Sequence, residues 1–285
     1  MTEQRKASKV RSLFIDDLND YQQSHAEKDY VLIDVREPAE YEAGHIPGAV
    51  LLPLSTLEGR VHALDPRKEL LFYCASGRRS QAATLLAEDA IPDAKALINL
   101  LGGYYAWEGK ELVDFPRLTI FHHTDDPRQV LHQAMDLEKG AWLFYSHAQE
   151  LLKDSPMGET ARALVDLERT HAQVLYRLLA RHYPEDPLPP FQELFQSLEG
   201  SIMEGGTPWP EALGRLQGSA PDDCVPFGEL ALEIEYASYD LYRNAAVVTV
   251  GEPVREIFFD LSAQEKGHVR VIAKTFSKCF PEAHG

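Results

Sequence analysis

Two glutamate–histidine pairs have the spacing that a metal centre requires. Glu168 and His171 form one Glu-x-x-His pair and Glu265 and His268 form the other, so each pair shares one helical face. A single such pair in an acidic protein is more often part of a solvated face. Here the second pair follows the first by 97 residues at both positions, and this regularity makes chance a poor explanation.

The repeat extends to one more glutamate and one tyrosine in each half. Glu138 and Glu235 each stand 30 residues before a pair, and Tyr145 and Tyr242 each follow seven residues later. Two single glutamates and two Glu-x-x-His pairs are the ligand set of a carboxylate-bridged di-iron or di-manganese site. We predict two iron ions, with manganese as an alternative, and expect the tyrosines to donate hydrogen bonds to the glutamates. The predicted ligands are Glu138, Glu168, His171, Glu235, Glu265 and His268.

A cysteine stands where an apolar strand is expected to give way to a helix. Residues 70–73 predict a strand that ends at Cys74, so backbone N–H groups and the next helix N-terminus converge on the sulfur and favour the thiolate. The alternative is a small buried hydrophobe, which the glycine and two arginines that follow make less plausible. We predict that Cys74 is a nucleophile and that its substrate is bound by Ala75, Ser76, Gly77, Arg78 and Arg79.

The elements that position these residues fall into two parts. Short apolar runs and a helical pattern alternate in the first part, with strands predicted at 31–35, 49–52 and 70–73 and a helix at 80–90. This is an α/β pattern. The proline and polar residues of region 115–126 end the alternation. We predict two domains, 1–118 and 119–285.

The second part consists of long amphipathic segments whose starts are marked by proline. Proline is tolerated in the first helical turn, and it begins three segments at Pro127, Pro156 and Pro253, with a fourth from about Pro226. A stretch of over forty residues rich in Pro and Gly, 184–226, separates the first two segments from the last two. One long crossover between two helical hairpins predicts an all-α, ferritin-like four-helix bundle.

The first part resembles the rhodanese family. The segment LIDVREPAEYEAGHIPGAVLLP, the loop CASGRRS and the later GGYYAWEGK carry the resemblance, which spans about Tyr30 to Lys110. It implies a parallel sheet flanked by helices, and a Cys74 that takes sulfane sulfur from a donor such as thiosulfate. The resulting persulfide would pass its outer sulfur to a thiol or to cyanide. The six-residue loop from Cys74 to Arg79 has the length that accompanies sulfur rather than phosphate in this superfamily.

Four further residues match the rhodanese pattern without a chemical role. Asp34 and Arg36 match positions that hold the scaffold around the loop. His45 and Gly48 match the turn G-H-I-P-G-A. A histidine in such a turn is more often a hydrogen-bonding group than a catalyst. We therefore interpret all four as structural.

The second part resembles the rubrerythrin branch of the ferritin-like superfamily. AMDLEKGAWLFY and FFDLSAQEKGHVRVIAK are its most typical stretches. The resemblance implies reduction of hydrogen peroxide at the metal pair. Ser238, one turn after Glu235, replaces an additional glutamate of many rubrerythrins, which puts their redox-linked ligand exchange in doubt. The four-cysteine rubredoxin module is absent, which implies an external electron donor.

Composition limits the partners and the compartment. The net charge of −17 disfavours nucleic acid and anionic membrane surfaces, which would repel the chain. No apolar stretch is long enough for a signal peptide or a membrane span, so we expect a cytoplasmic protein. Three cysteines without a C-x-x-C pair suggest reduced thiols and exclude a cysteine zinc site. Bundles of this kind often pair, so we expect a homodimer.

These observations predict a sulfurtransferase fused to a di-iron oxidoreductase that uses peroxide or oxygen. An alternative keeps catalysis in the rhodanese-like domain alone and makes the bundle an iron-storage, sensing or dimerisation module. A third interpretation, in which both sites are vestigial and the chain is a scaffold, conflicts with the intact motifs in both parts.

Overall fold

The computed structural model describes residues 10–121, 126–153, 155–185, 187–218, 223–249 and 251–279, apart from the side chains of 156, 253 and 276–279. The chain divides into two compact units, Met1–Phe115 and Pro116–Gly285. The boundary predicted from the sequence, between residues 118 and 119, lies three residues beyond the division between these units.

The N-terminal unit is built on a five-stranded sheet in which every pairing is parallel. Its strands are β1 (Val10–Phe14), β2 (Tyr30–Asp34), β3 (Ala49–Leu51), β4 (Glu69–Tyr73) and β5 (Ala96–Leu101), in the order β1-β5-β4-β2-β3. The connecting helices are α1 (Leu18–Ser24), α2 (Pro38–Ala43), α3 (Leu54–Arg60) and α4 (Arg78–Ala90). The predicted α/β class with a parallel sheet is confirmed. The middle strand β4 is almost wholly buried, which explains its continuous apolar run.

Two strands were not predicted from the sequence. β1 is an edge strand whose only pairing in the described sheet is with β5, and three of its five residues are exposed, so it shows no apolar run. β5 is largely buried but carries Asn99 opposite Phe72 of β4. Both strands depend on pairing partners that are distant in the chain, and a local pattern does not reveal such partners.

The C-terminal unit is strongly helical. Its long helices among the described residues are α5 (Pro127–Leu151), α6 (Pro156–His182), α9 (Cys224–Val248) and α10 (Glu252–Cys279), and the crossover contains α7 (Phe191–Ser197) and α8 (Trp209–Gly214). α5 packs against α6 and α9 packs against α10, while α6 contacts both α9 and α10. The prolines mark the starts as predicted, although α9 begins two residues before Pro226. No helix in the described ranges is both long and apolar enough to cross a membrane.

Two apolar clusters occupy the interior of the helical unit, and they reveal the helix directions. Along α5 the buried residues before Glu138 belong to one cluster and those after it to the other. The same change occurs across Glu265 in α10, and it occurs in the opposite order across Glu168 in α6 and Glu235 in α9. α6 and α9 therefore run in the same direction, which is why a long crossover must join them. The four glutamates lie where the two clusters meet.

The cysteines differ from the sequence expectation in one respect. Cys74 is free and buried. Cys224, the first residue of α9, is disulfide-bonded. The expectation of reduced thiols is therefore wrong for Cys224, because disulfide formation depends on proximity in space rather than on C-x-x-C spacing.

Candidate functional site

Cys74 lies at the carboxyl end of the middle strand, directly after β4, and is 1% exposed. The loop that follows ends at Gly77, whose φ of 92° is a left-handed conformation that glycine adopts without steric cost. On the other side, Gly103 packs against the carbonyl group of Cys74, and the N–H of Tyr104 donates to that oxygen at 2.8 Å. The backbone on both sides of the cysteine is thus held in place.

Hydrogen-bond donors surround the sulfur. The N–H of Gly77 donates to Cys74 Sγ at 3.2 Å, and Ser80 Oγ donates at 3.6 Å. Burial raises the pKa of the thiol, but the Ser80 hydroxyl and the backbone N–H groups of Ser80, Ser76 and Gly77 together outweigh burial and lower the pKa below its ordinary value. The loop therefore favours the thiolate, which is the nucleophilic form.

Replacing Ser80 with alanine is expected to raise the pKa of Cys74, because the side chain that contributes most to lowering it is lost. The pH dependence of alkylation, followed by mass spectrometry of the Cys74 peptide, measures this pKa. Ser55→Ala, at an exposed serine on α3, is the matched control and should leave the midpoint unchanged. A Ser80→Ala profile that overlays the wild-type profile would show that the hydroxyl does not stabilise the thiolate.

Of the remaining polar side chains in the loop, two are exposed and one is hydrogen-bonded. Ser76 and Arg78 are exposed. Arg79 donates two hydrogen bonds to Glu40 of α2, both at 2.7 Å, and these bonds hold the pKa of Glu40 at about 2. Glu40 therefore offsets part of the positive charge that Arg79 places beside the sulfur. The local sequence did not indicate this partner, which stands 39 residues upstream.

A buried ion pair between Asp34 and Arg36 contacts the segment that packs against the Cys74 loop. Arg36 Nη2 lies 2.6 Å from Asp34 Oδ2, and the guanidinium lies 4.0 Å from the centre of the Tyr104 ring. Asp34 and Arg36 are 0% and 3% exposed. The pair thus connects β2 to the segment that contacts the Cys74 carbonyl. His45 is stacked on Tyr41, with 3.8 Å between the ring centres.

Replacing Gly103 with alanine is expected to loosen the Cys74 loop. A Cβ at this position would overlap Cys74 O, and the φ of 60° costs a residue with a side chain about 1–2 kcal/mol before that overlap is counted. Hydrogen exchange of the β4 amides should therefore accelerate. Gly59→Ala, in α3 with no atom near its added Cβ, is the control and should be neutral or stabilising. Equal exchange in both variants would contradict the expectation.

The six predicted metal ligands converge in the interior of the helical unit. All six are buried, at 4% exposure or less. His171 Nδ1 lies 3.3 Å from Glu138, 3.7 Å from Glu168 and 3.8 Å from Glu265. Four helices thus bring together residues that are up to 130 positions apart in the chain, from Glu138 to His268.

His268 has the same arrangement, except that Glu235 takes the place of Glu138. His268 Nδ1 lies 2.8 Å from Glu235, 3.3 Å from Glu168 and 3.3 Å from Glu265. The two imidazole rings are parallel, 4.6 Å apart. Glu168 and Glu265 therefore face both histidines, whereas Glu138 faces only the first and Glu235 only the second. Two carboxylate–imidazole sets that share two glutamates form the donor arrangement of a dinuclear centre.

The two tyrosines of the repeat connect the helical hairpins. Tyr242 of α9 donates to Glu138 Oε1 of α5 at 2.8 Å. Tyr145 of α5 donates to Glu235 Oε1 of α9. Each tyrosine thus orients the glutamate of the opposite hairpin and leaves the second oxygen of that carboxylate directed at the histidines.

The cluster contains more carboxyl groups than its two histidines would balance if all of them were ionised. Burial raises the pKa of Glu265 to about 8 and that of Glu168 well above its ordinary value. Burial alone would lower the pKa of His268, but Glu235 and Glu168 raise it well above the ordinary value. Carboxylates packed this closely repel one another unless cations lie between them.

Several ligand atoms also lack hydrogen-bond partners among the described residues. They are Glu138 Oε2, Glu265 Oε1, His171 Nδ1 and His268 Nε2. Buried polar atoms normally have hydrogen-bond partners, so four atoms without one in a single cluster require an explanation. Carboxylate oxygens and imidazole nitrogens together suit iron, manganese or zinc. The residues present therefore fit a pair of divalent cations.

Sequence reasoning missed one buried carboxylate in this cluster. Glu204, in the crossover between α7 and α8, is 2% exposed and forms a group with Glu138 and Glu168 in which the oxygens all lie within 4.8 Å of one another. Burial raises its pKa well above the ordinary value. Glu204 has no counterpart in the 97-residue repeat and stands in no periodic pattern, so no sequence signal identified it.

Comparison with known proteins concerns the N-terminal unit. A family model for the rhodanese-like domain matches residues 17–110. The chain is 41% identical over 80 residues to YrkF of Bacillus subtilis, across 28% of this chain and 42% of that protein. It is 36% identical over 81 residues to a protein named sulfurtransferase of Allochromatium vinosum, across 28% of this chain and 73% of that protein.

A further relative is named for its substrates. The chain is 33% identical over 100 residues to the thiosulfate:glutathione sulfurtransferase of Saccharomyces cerevisiae, across 30% of this chain and 70% of that protein. The chain spans less than half of the length of YrkF. The family model covers the α/β unit and includes the Cys74 loop.

Proposed function

Because the chain belongs to the rhodanese-like family through its N-terminal unit, we propose that this unit is a sulfurtransferase with Cys74 as its sulfur-carrying nucleophile. The observation that supports it most directly is the buried free cysteine whose thiol pKa is lowered by the N–H groups and the hydroxyl around it. Relatives named for sulfur transfer, one from thiosulfate to glutathione, favour a thiosulfate-type donor and a thiol acceptor.

The transfer proceeds in two displacements on sulfur. The Cys74 thiolate attacks the outer sulfur of thiosulfate, the S–S bond of the donor breaks, and its electron pair leaves with sulfite. An acceptor thiolate or cyanide then attacks the outer sulfur of the persulfide, and the original Cys74 thiolate is restored. The N–H groups of Ser76, Gly77 and Ser80 offset the negative charge on sulfur before and after each displacement.

The exposed part of the loop receives the donor. Ser76 and Arg78 are exposed beside the buried sulfur, so they are the side chains that an incoming anion meets first. Arg79 stays beside the sulfur while its guanidinium is held by Glu40. Ala75 and Gly77 contribute backbone and allow close approach. A rate assay with thiosulfate as the donor, and cyanide or glutathione as the acceptor, tests the activity.

For the C-terminal unit we propose a ferritin-like four-helix bundle that holds two iron ions, with manganese as an alternative. Support comes from the parallel direction of α6 and α9 across a long crossover, and from the two carboxylate–imidazole sets that share two glutamates. Glu138 and His171 would hold one ion, and Glu235 and His268 the other. Glu168 and Glu265 would bridge them.

The protein side chains prepare this centre for redox chemistry. Bound iron would supply peroxide- or oxygen-linked oxidation and reduction, with electrons from an external donor. Tyr145 orients Glu235 and Tyr242 orients Glu138, and the surrounding apolar clusters exclude water. The carboxylates of Glu168 and Glu265, which face both histidines, would offset the charge of both ions.

Metal analysis with an optical spectrum before and after hydrogen peroxide tests this second proposal. About two irons per chain and a spectrum that changes with peroxide are expected. Iron that binds without turnover of peroxide would favour storage or sensing. Little metal after reconstitution with iron would contradict the dinuclear centre and leave a sulfurtransferase joined to a structural helical unit.

A further inference from the structure

A fifth glutamate, Glu204, faces the carboxylate cluster from outside the long helices. Its side chain is 2% exposed, and its Oε1 has no hydrogen-bond partner among the residues that the structure describes. It shares a group with Glu138 and Glu168 whose oxygens lie within 4.8 Å of one another. Glu204 therefore presents an unpaired acceptor to the same centre as the six predicted ligands.

A tight turn sets the direction of this side chain. The N–H of Met203 donates to the carbonyl of Thr207 at 3.0 Å, and the N–H of Gly206 donates to the carbonyl of Met203 at 2.7 Å. Arg117 Nη1 donates to the carbonyl of Gly206 at 2.7 Å. The backbone on both sides of Glu204 is thus fixed by hydrogen bonds, and the buried Met203 anchors it to the core.

The turn reaches the centre because α5 has no side chain at the point of contact. A Cβ at Gly140 would overlap the carbonyl oxygen of Ile202 and would lie 3.2 Å from the nitrogen of Met203. Gly140 is two positions from Glu138, so the crossover backbone contacts α5 directly beside a predicted ligand. The fold therefore provides a specific opening through which Glu204 approaches the cluster.

The hydrogen bond available to Glu204 from α9 is weak. Ser238 Oγ lies 3.5 Å from Glu204 Oε2 but 3.0 Å from the carbonyl of Ile234. A hydroxyl has one proton, and the shorter distance favours the carbonyl. A small residue at 238 also leaves room for the carboxylate. Metal coordination would satisfy the buried oxygen that these contacts leave without a partner.

We propose that Glu204 is a seventh ligand, bound to the ion that Glu138 and His171 hold. This inference rests on the proposed dinuclear centre. A carboxylate supplied to one half of a symmetric six-ligand set makes the two halves unequal, because the first ion gains an anionic oxygen that the second lacks. The two ions should therefore bind with different affinities.

The experiment is a competitive titration of the full chain with ferrous iron against a chelator, without oxygen. Wild-type protein should bind two ions, and Glu204→Gln should bind one of them at least about 10-fold more weakly, because loss of even a partner outside the coordination sphere costs about 10- to 100-fold in metal affinity. Mössbauer spectra with enriched iron should change for one of the two iron signals. Glu199→Gln, at an exposed glutamate of the same crossover, is the matched control and should behave as wild type.

Two further measurements separate ligation from a structural role. Glu204→Gln removes a buried carboxylate from among four others, so the metal-free variant should melt at a higher temperature than the metal-free wild type. A purely structural glutamate would have the opposite effect. Glu204→Asp keeps the charge but shortens the side chain, and it should weaken the same ion even if the glutamine variant folds poorly.

The outcomes distinguish failure of the proposed dinuclear centre from failure of the Glu204 assignment. Wild-type protein that binds no iron after reconstitution would overturn the dinuclear centre itself. Two ions in the wild type, with the same affinities and spectra in Glu204→Gln and Glu204→Asp, would overturn only the assignment of Glu204.

Discussion

Cys74→Ser is expected to reduce sulfur transfer from thiosulfate by at least about a thousandfold, as loss of a covalent nucleophile does in other enzymes. The serine hydroxyl stays protonated near neutral pH, whereas the lowered pKa of Cys74 favours the thiolate. An oxygen at this position also cannot carry sulfane sulfur as a persulfide. The rate of thiocyanate formation from thiosulfate and cyanide measures the loss.

The same variant contains its own control. Cys74 belongs to the N-terminal unit and the proposed metal ligands to the C-terminal unit, so the iron content and the spectrum of Cys74→Ser should match the wild type. Persulfide on the wild-type Cys74 peptide, detected by mass spectrometry after thiosulfate treatment, gives an independent readout. Transfer at the wild-type rate in Cys74→Ser would reject Cys74 as the sulfur carrier.

Glu168→Gln is expected to remove most of the bound metal rather than half of it. Glu168 lies 3.3 Å from His268 and 3.7 Å from His171, so its carboxylate serves both halves of the proposed centre. A neutral amide offsets no cation charge and is a poor bridge between two ions. Metal analysis should fall from about two ions per chain to well below one.

The matched control is Glu159→Gln, which makes the same change at an exposed position on the same helix. Its metal content should equal that of the wild type. Glu138→Gln provides a graded comparison, because Glu138 faces only His171 and its loss should weaken chiefly one ion. Full metal content in Glu168→Gln would show that this glutamate is not shared between two ions.

Local spacing was sufficient to predict most of the candidate site residues. The sequence shows the three-residue spacing within each pair, the recurrence of that pair after 97 residues, and the strand-to-helix turn at Cys74. Each is read from short segments, because side-chain direction in a helix or at a strand end follows from backbone geometry alone. For the same reason the prolines marked the helix starts at Pro127 and Pro156. The α/β class and the helical second unit could therefore be predicted before any contact was known.

Contacts between distant segments required the tertiary structure. Spacing does not show which glutamates face both histidines, nor that Tyr145 and Tyr242 each reach across to the other hairpin. The pairing of Arg79 with Glu40 and the bonding of Cys224 are of the same kind. Each depends on where the crossovers return the chain, and that is set by packing of whole elements.

Glu204 is the carboxylate of this cluster that the sequence did not predict. A helix repeats its face every 3.6 residues, so a ligand on a helix leaves a periodic trace. A turn has no such period. The direction of Glu204 is set by two backbone hydrogen bonds, by one that Arg117 donates to the turn, and by the absence of a side chain at Gly140, more than sixty residues upstream. The sequence alone was enough to predict the repeated ligands, whereas only the folded crossover brings the fifth carboxylate to them.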